Sequence, residues 1–152
     1  MPTHNILSDQ HLDNITPPDL LWVRGPLIAV RIEIPLSLEK SLIQDNISVP
    51  QPITGWGLID TGAIATAVDI NVIESLELVP VDRGIVLTPQ GSAEQDKFSL
   101  RIMLTGLTTM NAPKVFGSKL KEHGVIALIG RDILKHCVLV YNGTTGSCSL
   151  SL

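Results

Sequence analysis

The chain has 152 residues, a length that suits one domain with its own core. Its net charge is −4, and no basic stripe is present that would attract nucleic acid. Hydrophobic residues make up 44% of the chain but aromatic residues only 3%, so the core must be built from Leu, Ile, Val and Ala. No run of about 18 apolar residues is present, which argues against a membrane span.

The start of the chain, "MPTHNILSDQHLDNITPP", is polar and lacks the pattern of a secretory signal, so we expect a cytoplasmic protein. Residues 1–20 are predicted to be a loose leader, and residues 21–152 are predicted to be the folded domain. In residues 26–35 apolar and polar side chains alternate, as they do in a half-buried strand, and Pro35 closes this strand. A polar connection that ends in prolines follows it.

The rest of the domain is predicted to consist mostly of short strands joined by turns. The predicted strands are 54–60, 83–89, 97–107, 125–130, 138–141 and 147–152. Short helices are predicted at 69–78, where Asp69 can cap the first turn, and at 131–137. Residues 89–96 are rich in turn formers, so the strands that flank them should form a hairpin with a mobile, polar tip. The pattern indicates an all-β fold with one or two short helices.

Two segments carry the candidate chemistry. The first, "GLIDTGAIATAVD" (57–69), places Asp60 at the end of an apolar strand with no lysine or arginine nearby. Burial of an unpaired charge is unfavourable, so such a carboxylate is usually partnered, protonated or functional. The plain alternative is a β-turn aspartate whose side chain bonds its own backbone. The second segment, "ALIGRDIL" (127–134), lies well downstream.

Together the two segments resemble the retropepsin-type aspartic proteases, the family of the retroviral proteases and their cellular and bacterial relatives. The matching residues are Leu58, Ile59, Asp60, Thr61, Gly62 and Ala63 with Thr66, and Leu128, Ile129, Gly130, Arg131, Asp132, Ile133 and Leu134. The resemblance covers about residues 26–152 and is strongest to bacterial single-domain members. It implies a closed acid-protease barrel with one Asp-Thr-Gly lobe per chain, in which the predicted hairpin is the flap.

The chemistry of peptide hydrolysis agrees with this resemblance. Two carboxylates a few ångströms apart can share one proton, so that the ionised one deprotonates water and the protonated one donates to the carbonyl oxygen. This chain has a single Asp-Thr-Gly, so the second aspartate must come from another copy on a twofold axis. We therefore expect a homodimeric aspartic endopeptidase that acts on peptides or proteins. The histidines and cysteines show no metal-ligand spacing, so neither a metal nor another cofactor is expected.

The resemblance also implies a role for each neighbour of Asp60. Thr61 reaches across the axis and locks the two loops together, and the amide of Gly62 can bond the carboxylate. The expected substrate-binding residues are Ala63, Ile64, Ile85, Pro89, Gln90, Gly91 and Leu128. Three residues of the second motif are expected to be structural, namely Gly130, Arg131 and Asp132.

Some positions leave alternatives open. Ile64 stands where many relatives carry a polar residue that binds the substrate backbone. Arg131 could pair with Asp132, with Asp69 or with backbone carbonyls, and Arg131 and Asp132 could equally form a capped helix start with a surface ion pair. A catalytically silent module that dimerises or binds peptides is the second functional interpretation, since a fold does not determine a function.

The C-terminal residues 147–152 alternate serines with apolar side chains, as a half-buried strand does. A terminal strand with an unpaired edge promotes association unless another strand covers it. The resemblance implies that the terminal strands of two subunits interleave, so a dimer through the chain ends is expected. Trp22 and Trp56 could belong either to the core or to an interface.

Overall fold

The computed structural model describes residues 3–6, 15–88 and 91–152. In these residues the chain forms ten β-strands, four α-helices and one 3₁₀ turn. Their order is β1 (Thr3–Ile6), α1 (Pro17–Arg24), β2 (Leu27–Glu33), α2 (Leu36–Gln44), β3 (Ile53–Ile59), β4 (Ala67–Asp69), α3 (Ile70–Ser75), β5 (Asp82–Thr88), β6 (Gly91–Leu104), β7 (Thr108–Ser118), the 3₁₀ turn (Lys121–His123), β8 (Ala127–Ile129), α4 (Arg131–Leu134), β9 (Val138–Asn142) and β10 (Ser147–Ser151). The predicted all-β class is confirmed, but four α-helices form where one or two were predicted. None of the helices in the described ranges has the length and apolar character that crossing a bilayer requires.

The larger sheet contains seven strands in the order β2-β3-β8-β4-β7-β6-β5. Because β2 also pairs with β6, the sheet closes into a ring, and among the described strands β5 pairs only with β6, in a long hairpin. The alternation predicted for residues 26–35 is observed in β2, where Ile28, Val30 and Ile32 are buried. Further members of the same buried cluster come from neighbouring strands, namely Ile59, Leu100, Ile102, Leu104 and Ile129.

The smaller sheet contains three strands in the order β1-β10-β9. β10 pairs antiparallel with both neighbours, with Ser151 opposite Thr3 on one side and Ser147 opposite Asn142 on the other. Strands of the same chain therefore lie on both edges of β10, and the expected dimer through the chain ends stays a prediction. β9 and β1 form the two outer edges of this sheet.

Part of the predicted leader belongs to this folded structure. β1 lies within residues 1–20 and pairs with β10, and α1 crosses the predicted domain boundary at residue 20. Thr16 caps α1 by accepting a hydrogen bond from the amide of Asp19. Residues 1–2 and 7–14 lie outside the described residues, so the prediction of a loose leader stays untested there.

Helix α2 occupies part of the segment that the sequence predicts to be a polar connection. Its N-cap is Pro35, which supplies no side-chain cap, and none of its residues is fully buried. Tertiary contacts hold it instead, because Leu42 packs against the core and Glu39 forms an ion pair with Arg101 of β6. Such contacts leave no local signal in the sequence.

Strands β6 and β7 also differ from the prediction. β6 begins at Gly91, so residues 91–96, predicted to be part of a turn, extend the hairpin as strand. Pro89 and Gln90, at the centre of the predicted tip, lie outside the described residues. The sequence patterns predict no strand over β7, which contains Pro113. This proline lies where the pairing with β6 shifts register, and a bulge is one of the few places where a sheet tolerates proline.

Asp69 is buried and joins three segments of the fold. As predicted, its Oδ1 caps α3 by accepting from the Asn71 amide at 2.9 Å, while its Oδ2 accepts from the Leu120 amide at 2.7 Å. Burial acts to raise the pKa of Asp69. Hydrogen bonds from the Asn71 side chain and from the amides of Leu120, Asn71 and Lys121 outweigh burial and hold the pKa below its ordinary value of 3.8.

We expect the variant Asp69→Asn to make the stability of the fold less sensitive to acid. A carboxyl with a lowered pKa in the folded state contributes stability that is present above its unfolded pKa and is lost as the pH falls through the folded value. Below about pH 4 the wild type should therefore lose free energy of unfolding more steeply than Asp69→Asn, as urea denaturation at several pH values will show.

The matched control for this experiment is Asp45→Asn, because Asp45 is an exposed aspartate at the end of α2. This variant should keep the wild-type dependence on pH. Equal slopes for the wild type and both variants would contradict the role given to Asp69.

Candidate active site

Asp60 follows β3 directly, and a neighbouring strand holds its backbone. β3 and β8 pair in parallel, with Leu58 opposite Leu128 and Ile59 opposite Ile129. The Asp60 amide continues this pairing by donating to the Ile129 carbonyl at 3.0 Å. The two motifs singled out in the sequence therefore lie side by side, although Asp60 and Ile129 are 69 residues apart along the chain.

The carboxylate of Asp60 is half-buried and is oriented by its own loop. Its Oδ1 accepts hydrogen bonds from the Gly62 amide at 2.8 Å and from the Ala63 amide at 3.2 Å. A Cβ atom at Gly62 would lie only 3.1 Å from this Oδ1, so glycine allows the close approach. Among the described residues, no lysine, arginine or histidine forms an ion pair with Asp60, and Oδ2 accepts no hydrogen bond.

These bonds also bear on the plain alternative for Asp60. The interpretation of Asp60 as a turn aspartate that bonds its own backbone accounts for the two hydrogen bonds to Oδ1. It does not account for Oδ2, which the loop leaves available beside exposed Thr61 and Gly62. The geometry therefore fits a carboxylate that is held by one oxygen and offers the other.

A buried network joins the far end of the Asp60 loop to the start of α4. Asp132 Oδ1 accepts from the amide and the hydroxyl of Thr66, at 2.9 and 2.7 Å, and from the Ile133 amide at 3.0 Å. The Thr66 hydroxyl oxygen in turn accepts from the Gly130 amide at 3.1 Å. Thr66 has no exposed surface, so its end of the network is shielded from water, whereas Asp132 is half-buried.

Two backbone hydrogen bonds strengthen the same junction. The amide of Arg131 donates to the Ala63 carbonyl at 2.9 Å, and the amide of Asp132 donates to the Ile64 carbonyl at 3.1 Å. These bonds satisfy helix-start donors that would otherwise lack partners. The first residues of α4 therefore define the path of the loop that carries Asp60.

Neither carboxylate proposed as the partner of Arg131 contacts its guanidinium in the described part of the chain. Asp132 bonds Thr66 and Ile133, and Asp69 bonds the region around α3. The Arg131 side chain is exposed and forms no ion pair with a described residue. Its backbone amide, rather than its charge, makes the contact to the loop. Helix α4 has Gly130 as its N-cap with no side-chain cap, and no ion pair joins Arg131 to Asp132 in the described residues, so the expected capped helix start with a surface ion pair is not observed.

The remaining predicted substrate-binding residues fall into two groups. Ala63, Ile64 and Leu128 lie on or beside the Asp60 loop, and Ile64 is exposed. Ile85 lies on β5, where it and Leu87 are 71% and 83% exposed. Gly91 begins β6 with a φ of 124°, a conformation that favours glycine.

A cavity of about 600 Å³ opens beside the site, and most of its wall was not foreseen from the sequence. Its lining residues are Val23, Arg24, Leu27, Trp56, Leu58, His123, Gly124 and Val125. Leu58 and Trp56 lie two residues apart on β3 and so face the same side of the strand, next to Asp60. This spacing is the sequence signal that could have placed Trp56 beside the site. The lining residues outside β3 come from separate elements, so no spacing along the chain connects them to Asp60.

No protein-family model and no curated protein sequence matches the chain. Its structure is similar to that of a retropepsin-like aspartic protease from Rickettsia conorii, with a TM-score of 0.52 and 14% identity over 97% of this chain and 89% of that one. A solution structure of the simian foamy virus (mac) protease also matches, with a TM-score of 0.43 and 21% identity over 54% of this chain and 81% of that one. The chain has the retropepsin-like fold that the two motifs predict.

We expect the variant Gly130→Ala to destabilise the junction behind Asp60. Its Cβ would lie 2.5 Å from the carbonyl carbon of Ala65 and 2.8 Å from the amide nitrogen of Thr66, and both of these are backbone atoms. Overpacking of this kind costs about 1–3 kcal/mol of the free energy of unfolding. Urea denaturation will measure the loss.

Gly143→Ala is the control for this substitution, because a Cβ there would make an ordinary contact of 3.4 Å with the Tyr141 ring. That variant should unfold at nearly the wild-type urea concentration. A Gly130→Ala protein with the same midpoint as Gly143→Ala would show that the loop has room to move.

Proposed function

We propose that the protein is an aspartic endopeptidase that acts as a homodimer, with a water molecule activated between Asp60 and the partner's Asp60. The observation that carries the proposal is the geometry of Asp60. Two amides of its own loop hold Oδ1, and no cation of the described residues neutralises the carboxylate. The retropepsin-like fold supports the proposal, since that fold hosts this chemistry in the similar protein from Rickettsia conorii.

In this mechanism the two carboxylates share one proton, because two negative charges a few ångströms apart cannot both persist. The ionised carboxylate takes a proton from the water as the water oxygen attacks the carbonyl carbon of the peptide. The protonated carboxylate donates its proton to the carbonyl oxygen. As the C–N bond breaks, the protonated carboxyl gives its proton to the leaving nitrogen and the other carboxylate takes a hydroxyl proton from the intermediate, which releases the acid and amine products and restores the shared proton.

The loop around Asp60 suits such a symmetric arrangement. Thr61 and Gly62 are exposed, so a second copy of the loop can approach them. The hydroxyl of Thr61 has no hydrogen-bond partner among the described residues, and a bond across the axis would give it one. We assign Thr61 the role of joining the two loops.

The substrate would bind as an extended strand beneath the β5–β6 hairpin. Backbone hydrogen bonds from the hairpin can hold such a strand without reading its sequence. The apolar side chains of Ile85 and Leu87 are exposed to water, and a bound peptide would bury them. Leu58 and Leu128 offer apolar walls next to Asp60, so apolar side chains should flank the bond that is cleaved.

We expect Asp60→Asn to abolish cleavage while it leaves the fold intact. The asparagine Oδ1 can still accept from the Gly62 and Ala63 amides, but the amide can neither take a proton from water nor share one. The measurement is the rate at which casein or a peptide library is cleaved, counting only the cleavage that pepstatin inhibits. This rate should fall by at least about 10³-fold.

Asp45→Asn makes the same chemical change at an exposed aspartate of α2 and should cleave at the wild-type rate. An Asp60→Asn protein with undiminished activity would assign the cleavage to another site or to a contaminant. A wild type that binds peptide without cleaving it would favour the catalytically silent module instead.

We also expect the hairpin to close over bound inhibitor. Hydrogen exchange should slow at residues 91–96 and at the loop around Asp60 when a pepstatin-like inhibitor binds, because closure excludes water and adds backbone hydrogen bonds. The amides of α2 (Leu36–Gln44) are the internal control and should exchange as before. Tight binding with unchanged exchange in the hairpin would mean that the peptide is held from another side.

A further inference from the structure

The cavity beside Asp60 has a wall that is apolar except for two basic side chains. Trp56 and Leu58 contribute to the apolar surface, and Arg24 and His123 are the ionisable residues of the wall. No aspartate or glutamate lines the cavity in the described part of the chain. The chain as a whole carries a net charge of −4, so the wall of this cavity is basic in a protein that is acidic.

The backbone of Arg24 is held close to Leu58. Arg24 is the last residue of α1, and the amide of the C-cap residue, Gly25, donates to the Leu21 carbonyl at 2.9 Å. Gly25 has a φ of 72°, and a Cβ atom there would lie only 2.8 Å from Leu58 Cδ1. Glycine therefore allows the end of α1 to pack directly against the strand that leads to Asp60.

His123 lies at the end of the cavity that is farther from Asp60. It is the last residue of the 3₁₀ turn, three residues before Ile126. The Ile126 amide donates to the Trp56 carbonyl at 2.8 Å, so the segment that carries His123 meets β3 near Trp56. Glu122, its neighbour on the turn, is exposed and is not among the lining residues. An imidazole carries at least one N–H donor, so this end of the cavity can also bind a carboxylate oxygen.

The size of the cavity indicates that more than one side chain enters it. A volume of about 600 Å³ lies in the range of cavities that hold a whole small molecule. Alternate residues of an extended peptide point to the same side and lie about 7 Å apart. Trp56 and Leu58 are also two residues apart on a strand, so the wall has the spacing of such a pair.

The charges determine which side chain suits each of the two positions. An acidic side chain beside Asp60 would meet a like charge, so the residue that contacts Leu58 should be apolar. The next residue on the same face of the peptide lies farther from Asp60, where the basic side chains line the wall. A guanidinium has five N–H donors, so Arg24 can bind a carboxylate alongside any other partner that it has.

We infer that the cavity selects substrates in which the third residue from the cleaved bond is glutamate or aspartate. Its carboxylate binds Arg24 and His123, while the residue next to the bond is apolar and contacts Leu58. A homodimer contains two such cavities related by its axis, so the same preference applies on both sides of the bond. This inference rests on the proposed function, since it requires a peptide held beside Asp60.

Matched peptides test the preference without any change in the protein. Each peptide is acetylated and amidated at its ends and has apolar residues on both sides of one cleavable bond. The third residue from the bond is either glutamate or glutamine, so the two peptides differ in a single side-chain carboxylate. The wild type should cleave the glutamate peptide with a kcat/KM at least about 10-fold higher, because charge-assisted hydrogen bonds are stronger than neutral ones.

Removal of the guanidinium should erase this difference. In Arg24→Gln the ratio of the two kcat/KM values should fall to about 1, whereas Arg24→Lys should keep part of the preference because it keeps the charge. A loss of folded protein or of dimer would lower both values alike and leave their ratio unchanged. His123→Gln, a change at an exposed residue, should lower the ratio by a smaller factor.

Lys40→Gln is the control, because it removes a positive charge from an exposed position of α2, away from the cavity wall. This variant should keep the full ratio. Equal cleavage of the two peptides by the wild type would overturn the inference, as would an Arg24→Gln protein with the wild-type ratio. In both cases the protease activity itself would stand.

The proposed function fails by a different result, namely a wild type that cleaves neither peptide. Isothermal titration calorimetry with the same two peptides then tests the cavity alone. Tighter binding of the glutamate peptide that is lost in Arg24→Gln would support the selectivity of the cavity in a protein that is not a protease. Equal affinities for the two peptides, or no binding of either, would overturn the inference as well.

Discussion

The hydrogen bonds that Asp132 accepts from Thr66 are the constraint on which the arrangement of the site depends. They join the end of the Asp60 loop to the first turn of α4, where the half-buried carboxylate gains partners that offset its partial loss of water. Gly130 completes the network by donating to the same threonine hydroxyl, and only a residue without a side chain fits there. Because Oδ1 of Asp132, the Thr66 hydroxyl and the Gly130 amide are bonded in one chain, the cluster specifies one geometry for the loop.

The parts of the fold that the sequence predicts well are those with local signals. The alternation of apolar and polar residues predicts β2, and the N-cap residue Asp69 predicts α3. Both patterns can be recognised within a few consecutive residues. α2 begins after Pro35 without a side-chain cap, and β7 accommodates Pro113 at a bulge. Their stability comes from contacts with distant strands, and no pattern within a short window reveals such contacts.

The same distinction applies to the site. Asp60 and Gly130 are found because each lies in a short motif that can be read along the chain. The cavity beside them combines Arg24, Trp56 and His123 from three separate elements, so only the folded chain brings them together. The pairing of β10 with β1 was not predicted, for a related reason. Alternation identifies a strand and its buried face, but it does not identify the neighbour, which here is β1 of the same chain.

In the proposed homodimer each chain supplies one of the two catalytic carboxylates, so the activity would depend on the protein concentration. In a homodimer of the proposed kind, the number of complete dyads rises with the square of the chain concentration whenever the chains are mostly apart. Doubling the amount of protein would then give about four times as many working sites. Newly made protein would remain inactive while it is scarce, with no inhibitor or removable segment needed to restrain it.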